Sequence, residues 1–160
     1  MDIVVVKIAD MAVLKEKGLI ITVGLGSCVG ITLYDPLVKV GGLAHILLSD
    51  SRNFKNQNSF NHAKFADTAI PLLVKKIEGL GGNKNRLSAK IAGGSQLFSF
   101  QKTSFSIGED NIFAVKKALQ AINIPIKGED VRGTHGRTMR FFIDSGKVIV
   151  STVGKEEKEL

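Results

Sequence analysis

The chain has 160 residues, 44% of them hydrophobic, a single cysteine and a formal charge of +7. That size and apolar content suit one domain spanning 1–160 with its own core, and one cysteine excludes an internal disulfide or a multi-cysteine zinc site. No window approaches the roughly 18 uninterrupted apolar residues of a membrane span, and Met1–Asp10 lacks a secretory layout, so a cytoplasmic protein without direct membrane insertion is expected.

The basic balance predicts an acidic partner. With one tyrosine and no tryptophan, the stacking platform of single-stranded nucleic-acid binders is missing, and nucleic acid is not expected.

In chain order, Val4–Ile8 and Leu19–Val23 read as strands separated by a polar stretch containing Lys15 to Gly18. Cys28–Tyr34 and Val38–Leu48 flank Asp35-Pro36-Leu37 and read as a β-hairpin. Ser49–Asn61 is polar and reads as an exposed loop. From His62 to Leu80 the apolar positions Phe65, Ala69, Leu72, Leu73, Ile77 and Leu80 follow helical spacing, with Gly81-Gly82 as a stop. Pro71 removes a backbone donor there and predicts a kink, a break or a later start. A second helix lies between Asp110 and Asn123, ended by Pro125. Further strands are expected at Leu87–Ala92, Ile126–Val131, Met139–Ile143 and Val148–Val153, and the charged tail Lys155–Leu160 is expected to fray. The order favours an α+β layered domain with mixed or antiparallel sheet and flanking helices.

Gly24-Leu25-Gly26-Ser27-Cys28-Val29-Gly30 suggests a dinucleotide loop at first sight, but the third glycine is one position late and a strand follows where a helix should open. The glycines suit instead a sharp turn that leaves amide N–H groups near Gly26, Ser27 and Cys28 free to act as an oxyanion hole. If the hairpin closes at Pro36-Leu37, Cys28 faces His45 on the same side of the sheet; a one-residue slip would separate them. A thiol beside an imidazole suits acyl transfer. The bland alternatives are a packed core cysteine and a hydrogen-bonded core histidine.

These residues resemble the family of CheD-type chemoreceptor glutamine deamidases. The resemblance rests on Ile21–Val29, Ala44–Leu48, Lys64–Ala69, Ala89–Gly94 with Phe98, Ile107-Gly108 with Asn111, and Glu129-Asp130 ahead of Gly136-Arg137. It implies a layered α/β sandwich similar to the catalytic domain of cytotoxic necrotizing factor toxins, with Cys28 as nucleophile, His45 as base and Thr22 as third catalytic residue. It also implies deamidation of glutamines on the cytoplasmic helices of methyl-accepting chemotaxis receptors through a thioester, no cofactor, and a CheC-type phosphatase as a further partner. The chain departs from the family pattern at Ser49, where proline is usual, and at Gly93–Phe98, Glu109-Asp110 and Arg132-Gly133.

Arg132, Arg137 and Arg140 are candidates for a basic rim that binds substrate, weighed against an ordinary solvated loop. His62 and His135 read as helix-end and loop residues, and no metal is expected. Phe98, Phe100 and Phe105 read as a mixture of core and surface anchors. Two rivals accompany the deamidase: a non-catalytic module that docks on receptors or a phosphatase, and a cysteine hydrolase of small molecules. The enzyme reading expects an accessible Cys28 with a depressed pKa.

Overall fold

The computed structural model describes residues 2–52, 61–97 and 106–160. Its elements are β1 (Ile3–Val6), β2 (Asp10–Lys15), β3 (Leu19–Leu25), β4 (Val29–Asp35), β5 (Val40–Ile46), α1 (Ala66–Gly79), β6 (Ser88–Gly93), α2 (Ile107–Ala121), β7 (Ile126–Val131), β8 (Arg137–Phe142), β9 (Val148–Thr152) and β10 (Lys158–Glu159). The strands make two five-stranded sheets, ordered β1-β3-β8-β9-β10 and β2-β5-β4-β6-β7. Both are mixed, because β1 runs parallel to β3 and β6 parallel to β7 while the other pairs are antiparallel. The fold is α+β, as the order of elements predicts.

Side-chain alternation shows how the layers stack. Along β5, Val40, Ala44 and Ile46 join a core formed with α1 and α2, whereas Leu43 joins a second core with Ile20, Met139 and Phe141 of the other sheet. The second sheet is therefore covered on both faces, and all of β5 is buried. Such a central strand carries a nearly continuous apolar run, as Val40–Ile46 does. The first sheet covers one face only, leaving Ile3, Val5 and Val23 exposed.

Several expectations are corrected. The β4–β5 hairpin closes through four residues, Pro36–Lys39, and pairs Asp35 with Val40, so its register is shifted by two from the one expected. The Asp35 carboxylate accepts from Leu37 N at 3.1 Å, and Lys39 takes up a positive φ of 54°; this turn holds the chain open by two residues more than a tight loop would. The stretch before Leu19 contains a strand, β2, at the edge of the second sheet. Met11 and Val13 meet one core and Ala12 and Leu14 the other, so β2 shows no polar face and its alternation is hidden. The tail does not fray throughout: Lys158–Glu159 pair with β9, and Leu160 packs on the intersheet core.

α1 begins at Ala66 rather than His62 and runs through Pro71 to Gly79. Ser106 caps α2, its hydroxyl accepting from Glu109 N at 3.2 Å. Of the polar loop after β5, Ser51 is buried and donates to Asp67 of α1 through its amide and hydroxyl. Residues 53–60 of that loop, and Phe98, Phe100 and Phe105, lie outside the described residues.

Candidate active site

The site forms where β3, β4 and β5 meet between the two sheets. Thr22 and Leu25 are both fully buried, and the β3–β8 register shifts between them. This bulge, with Gly24 at φ 72°, turns the end of β3 inward and starts the turn through Gly26 and Ser27. Cys28 closes that turn immediately before β4. Its carbonyl accepts from Gly94 N at 2.8 Å, and the Gly26 carbonyl accepts from Ser95 N at 2.8 Å, so the end of β6 continues as a brace against the turn. Gly93 has φ 114°, and a Cβ there would overlap the Cys28 carbonyl oxygen. Only glycine fits so close a backbone approach.

His45 pairs directly with Gly30. Cys28 lies two residues before Gly30, just beyond the last ladder pair, and packs in the intersheet core towards which His45 also points, diagonal to it rather than opposed. The two-residue shift in register preserves the shared face that a one-residue slip would have destroyed. Gly30 lets the Met139 and Leu25 side chains close on this face: a Cβ there would stand 2.8 Å from Met139 Sδ.

Thr22 approaches from the other sheet. Its Oγ1 lies 2.6 Å from His45 Nδ1 and donates to the Val6 carbonyl at 2.8 Å. The hydroxyl hydrogen is committed to Val6, so Oγ1 accepts from Nδ1–H. The imidazole thereby carries its proton on Nδ1 and keeps a lone pair on Nε2. That Nε2 is buried without a hydrogen-bond partner among the described residues. The backbone of His45 is tied separately, its carbonyl accepting from Ala9 N at 2.8 Å.

Burial controls the protonation of the pair. It holds His45 down to about 4, so the ring is neutral at physiological pH. Burial also raises the Cys28 thiol, opposed only in part by the cysteine's own amide. Cys28 is 5% exposed, so the expectation of an accessible thiol with a depressed pKa is not met. A neutral thiol beside a neutral base can still transfer its proton as it attacks a carbonyl. Among the described residues, no backbone acceptor takes the amide hydrogen of Ser27, which leaves it available to an oxyanion, while the Cys28 amide is turned towards its own thiol.

The arginines do not form a common rim. Arg137 is buried; its Nε donates to Asp130 at 3.1 Å, Nη1 to Ser95 Oγ at 2.7 Å and Nη2 to the Arg132 carbonyl at 2.7 Å. It secures the brace behind the cysteine turn and has little of its side chain in solvent. Arg132 pairs with Glu109 of α2 at 2.8 Å, and Arg140 lies on β8, donating to Ser151 Oγ at 2.7 Å. His62 precedes α1, and His135 lies in the loop before β8. Two site residues escaped the choice made from sequence. Asn111 of α2 is fully buried and donates to the Ser27 carbonyl; its place in the family resemblance was the available signal. Ser95 is buried and ties the turn to Arg137, and nothing in its local sequence marks it.

The CheD family model, described as chemotactic sensory transduction, matches residues 47–152. A protein of Halalkalibacterium halodurans named chemoreceptor glutamine deamidase CheD is 47% identical over 161 residues, covering 99% of both chains. Another from Clostridium botulinum, named probable chemoreceptor glutamine deamidase CheD, is 50% identical over 164 residues, covering both chains completely. The chain belongs to the CheD family. The family match begins at Leu47, after Thr22, Cys28 and His45, whereas the two relatives align over the whole length, including that region.

Proposed function

We propose that this chain is a protein-glutamine deamidase acting on the cytoplasmic helices of methyl-accepting chemotaxis receptors, with Cys28 as nucleophile, His45 as base and Thr22 as the group that orients the base. Family membership supports the substrate. The chemistry rests on one observation above all, the 2.6 Å contact between Thr22 and His45 Nδ1, which leaves Nε2 as the acceptor on the face shared with Cys28.

In this mechanism the Cys28 proton passes to His45 Nε2 while Sγ attacks the carboxamide carbon of a receptor glutamine. The Ser27 and Cys28 amides, with Gly26 permitting the turn, receive the developing oxyanion. Nε2–H then protonates the departing nitrogen, ammonia leaves and a thioester remains. Nε2 removes a proton from water, the hydroxide attacks the thioester carbon, and collapse releases glutamate and returns the proton to sulfur. The third member is a neutral hydroxyl, so the transient imidazolium has no carboxylate to stabilise it. The low basicity of His45 accords with this. No step requires a cofactor.

The same reading gives the chain one domain, a fold akin to the catalytic domain of cytotoxic necrotizing factor toxins, a cytoplasmic location and a CheC-type phosphatase as a second partner. Burial of the Cys28 thiol favours one alternative, a docking module without catalysis. Incubating the protein and its Cys28→Ala variant with a receptor cytoplasmic fragment separates the two. Cysteine-dependent ammonia release, with a gain of about one dalton in glutamine peptides as NH2 becomes OH, is expected. Binding without either signal would leave the module.

A further inference from the structure

Asn111 lies on the buried face of α2, within two turns of its start. One amide hydrogen goes to the Ser27 carbonyl at 2.9 Å and the other to the Leu47 carbonyl at 3.0 Å. Reversing the amide would place Oδ1 against two carbonyl oxygens, so its partners fix its orientation. Ser27 precedes Cys28, and Leu47 lies two residues after His45. The β4–β5 ladder ends at Val29 and Ile46, so this single side chain joins the nucleophile's turn to the base's strand beyond the last backbone pair.

Two further observations give the tie a role beyond packing. Asn111 Oδ1 is buried and has no hydrogen-bond partner among the described residues, a cost that an apolar side chain of similar size would avoid. His45 Nε2 also lacks a partner, so no mutual hydrogen bond draws thiol and imidazole together at rest. Their separation is left to the surrounding frame. Gly108, one turn earlier on α2, seats the helix closely on the segment that follows β6: a Cβ there would meet the Gly94 carbonyl oxygen at 2.5 Å and that of Ser95 at 2.6 Å. The helix carrying Asn111 is thus docked on the brace that holds Cys28.

We propose that Asn111 is a positioning residue for deamidation, its carboxamide setting the spacing between the Cys28 turn and the His45 strand across which the thiol proton moves. The proposal rests on Cys28 and His45 being the reacting pair. A buried residue that substrate does not touch should affect kcat rather than KM.

The test uses Asn111→Leu, close in size and free of the unpaired oxygen, and Asn111→Ala. Ammonia release from a receptor cytoplasmic fragment gives kcat and KM, iodoacetamide alkylation gives the pH dependence of Cys28 reactivity, and thermal melting reports folding. Expected for a folded variant is a fall in kcat of about 30- to 100-fold, with KM within about threefold and an altered alkylation profile. A folded variant that keeps kcat within about threefold of the parent and an unchanged alkylation profile overturns the proposal. Failure of both variants to fold also overturns it, since Asn111 would then be a folding element. If the parent releases no ammonia, the deamidase reading fails separately, and the alkylation profile alone decides on Asn111: a changed profile supports its positioning role and an unchanged one rejects it.

Discussion

The Thr22 hydroxyl has one hydrogen, and Val6 takes it. Thr22→Val keeps the shape but leaves His45 Nδ1–H without its acceptor, so both the tautomer and the ring angle are released. A loss in kcat of about 10- to 100-fold is expected, with Thr22→Ser retaining most activity, measured as ammonia release. His45 also links stability to pH. Its folded value of about 4 lies below the ordinary value of 6.5, so between these the unfolded chain binds a proton that the folded chain refuses. Stability from this group is complete above 6.5 and declines as pH falls towards 4, by about 3 kcal/mol. Urea melts at pH 4.5 and 7 should show that slope, and His45→Gln should reduce it. With His45 as the proposed base, activity should persist until well below pH 6. The raised thiol predicts slow alkylation at neutral pH. The Cys28, His45 and Thr22 motifs were legible as family signatures, whereas the tautomer was not, because it depends on Val6, sixteen residues away in sequence from Thr22.

At the level of elements, the Cys28 turn is built where glycine permits backbone to lie on backbone. Gly93→Ala combines an unfavourable φ with overlap on the Cys28 carbonyl. It should destabilise by about 2–3 kcal/mol and depress activity beyond the loss of folded protein, as denaturation and turnover measured together would show. Apolar runs made β3, β4 and β5 readable, and Ile112, Val115 and Leu119 made α2 readable. Hairpin register was not, since it depends on the four-residue Pro36–Lys39 turn and the Asp35 contacts that shape it. β2 was invisible because its four central side chains are shared between two cores. Arg137 looked like a surface cation in sequence; its acceptors come from Ser95, Asp130 and the Arg132 carbonyl, which only the fold brings together.

For the molecule as a whole, Asp35 fastens the hairpin to the turn after α1. It is fully buried, accepts from Asn83 N at 2.8 Å and pairs with Arg86 at 2.9 Å. Burial alone would raise its pKa, but Arg86 and the amides of Asn83 and Leu37 outweigh this and lower it. Its contribution is therefore present above the ordinary carboxylate range and lost as pH falls through the depressed folded value. Asp35→Asn should cost about 1–2 kcal/mol by weakening the hydrogen bonds from Arg86 and the Asn83 and Leu37 amides, readable as a lower urea midpoint at pH 7. The charge of +7 predicts that added salt raises KM on an acidic receptor fragment more than it lowers kcat. Thr22 belongs to one sheet, while His45 belongs to the other and Cys28 leads into it. The proposed reacting unit therefore exists only while the two layers hold their alignment. A small sliding of one layer over the other would disconnect imidazole from hydroxyl before either sheet melts, making turnover a sensitive gauge of interlayer slip: heat or pressure should silence the enzyme while its circular dichroism still reports intact strands.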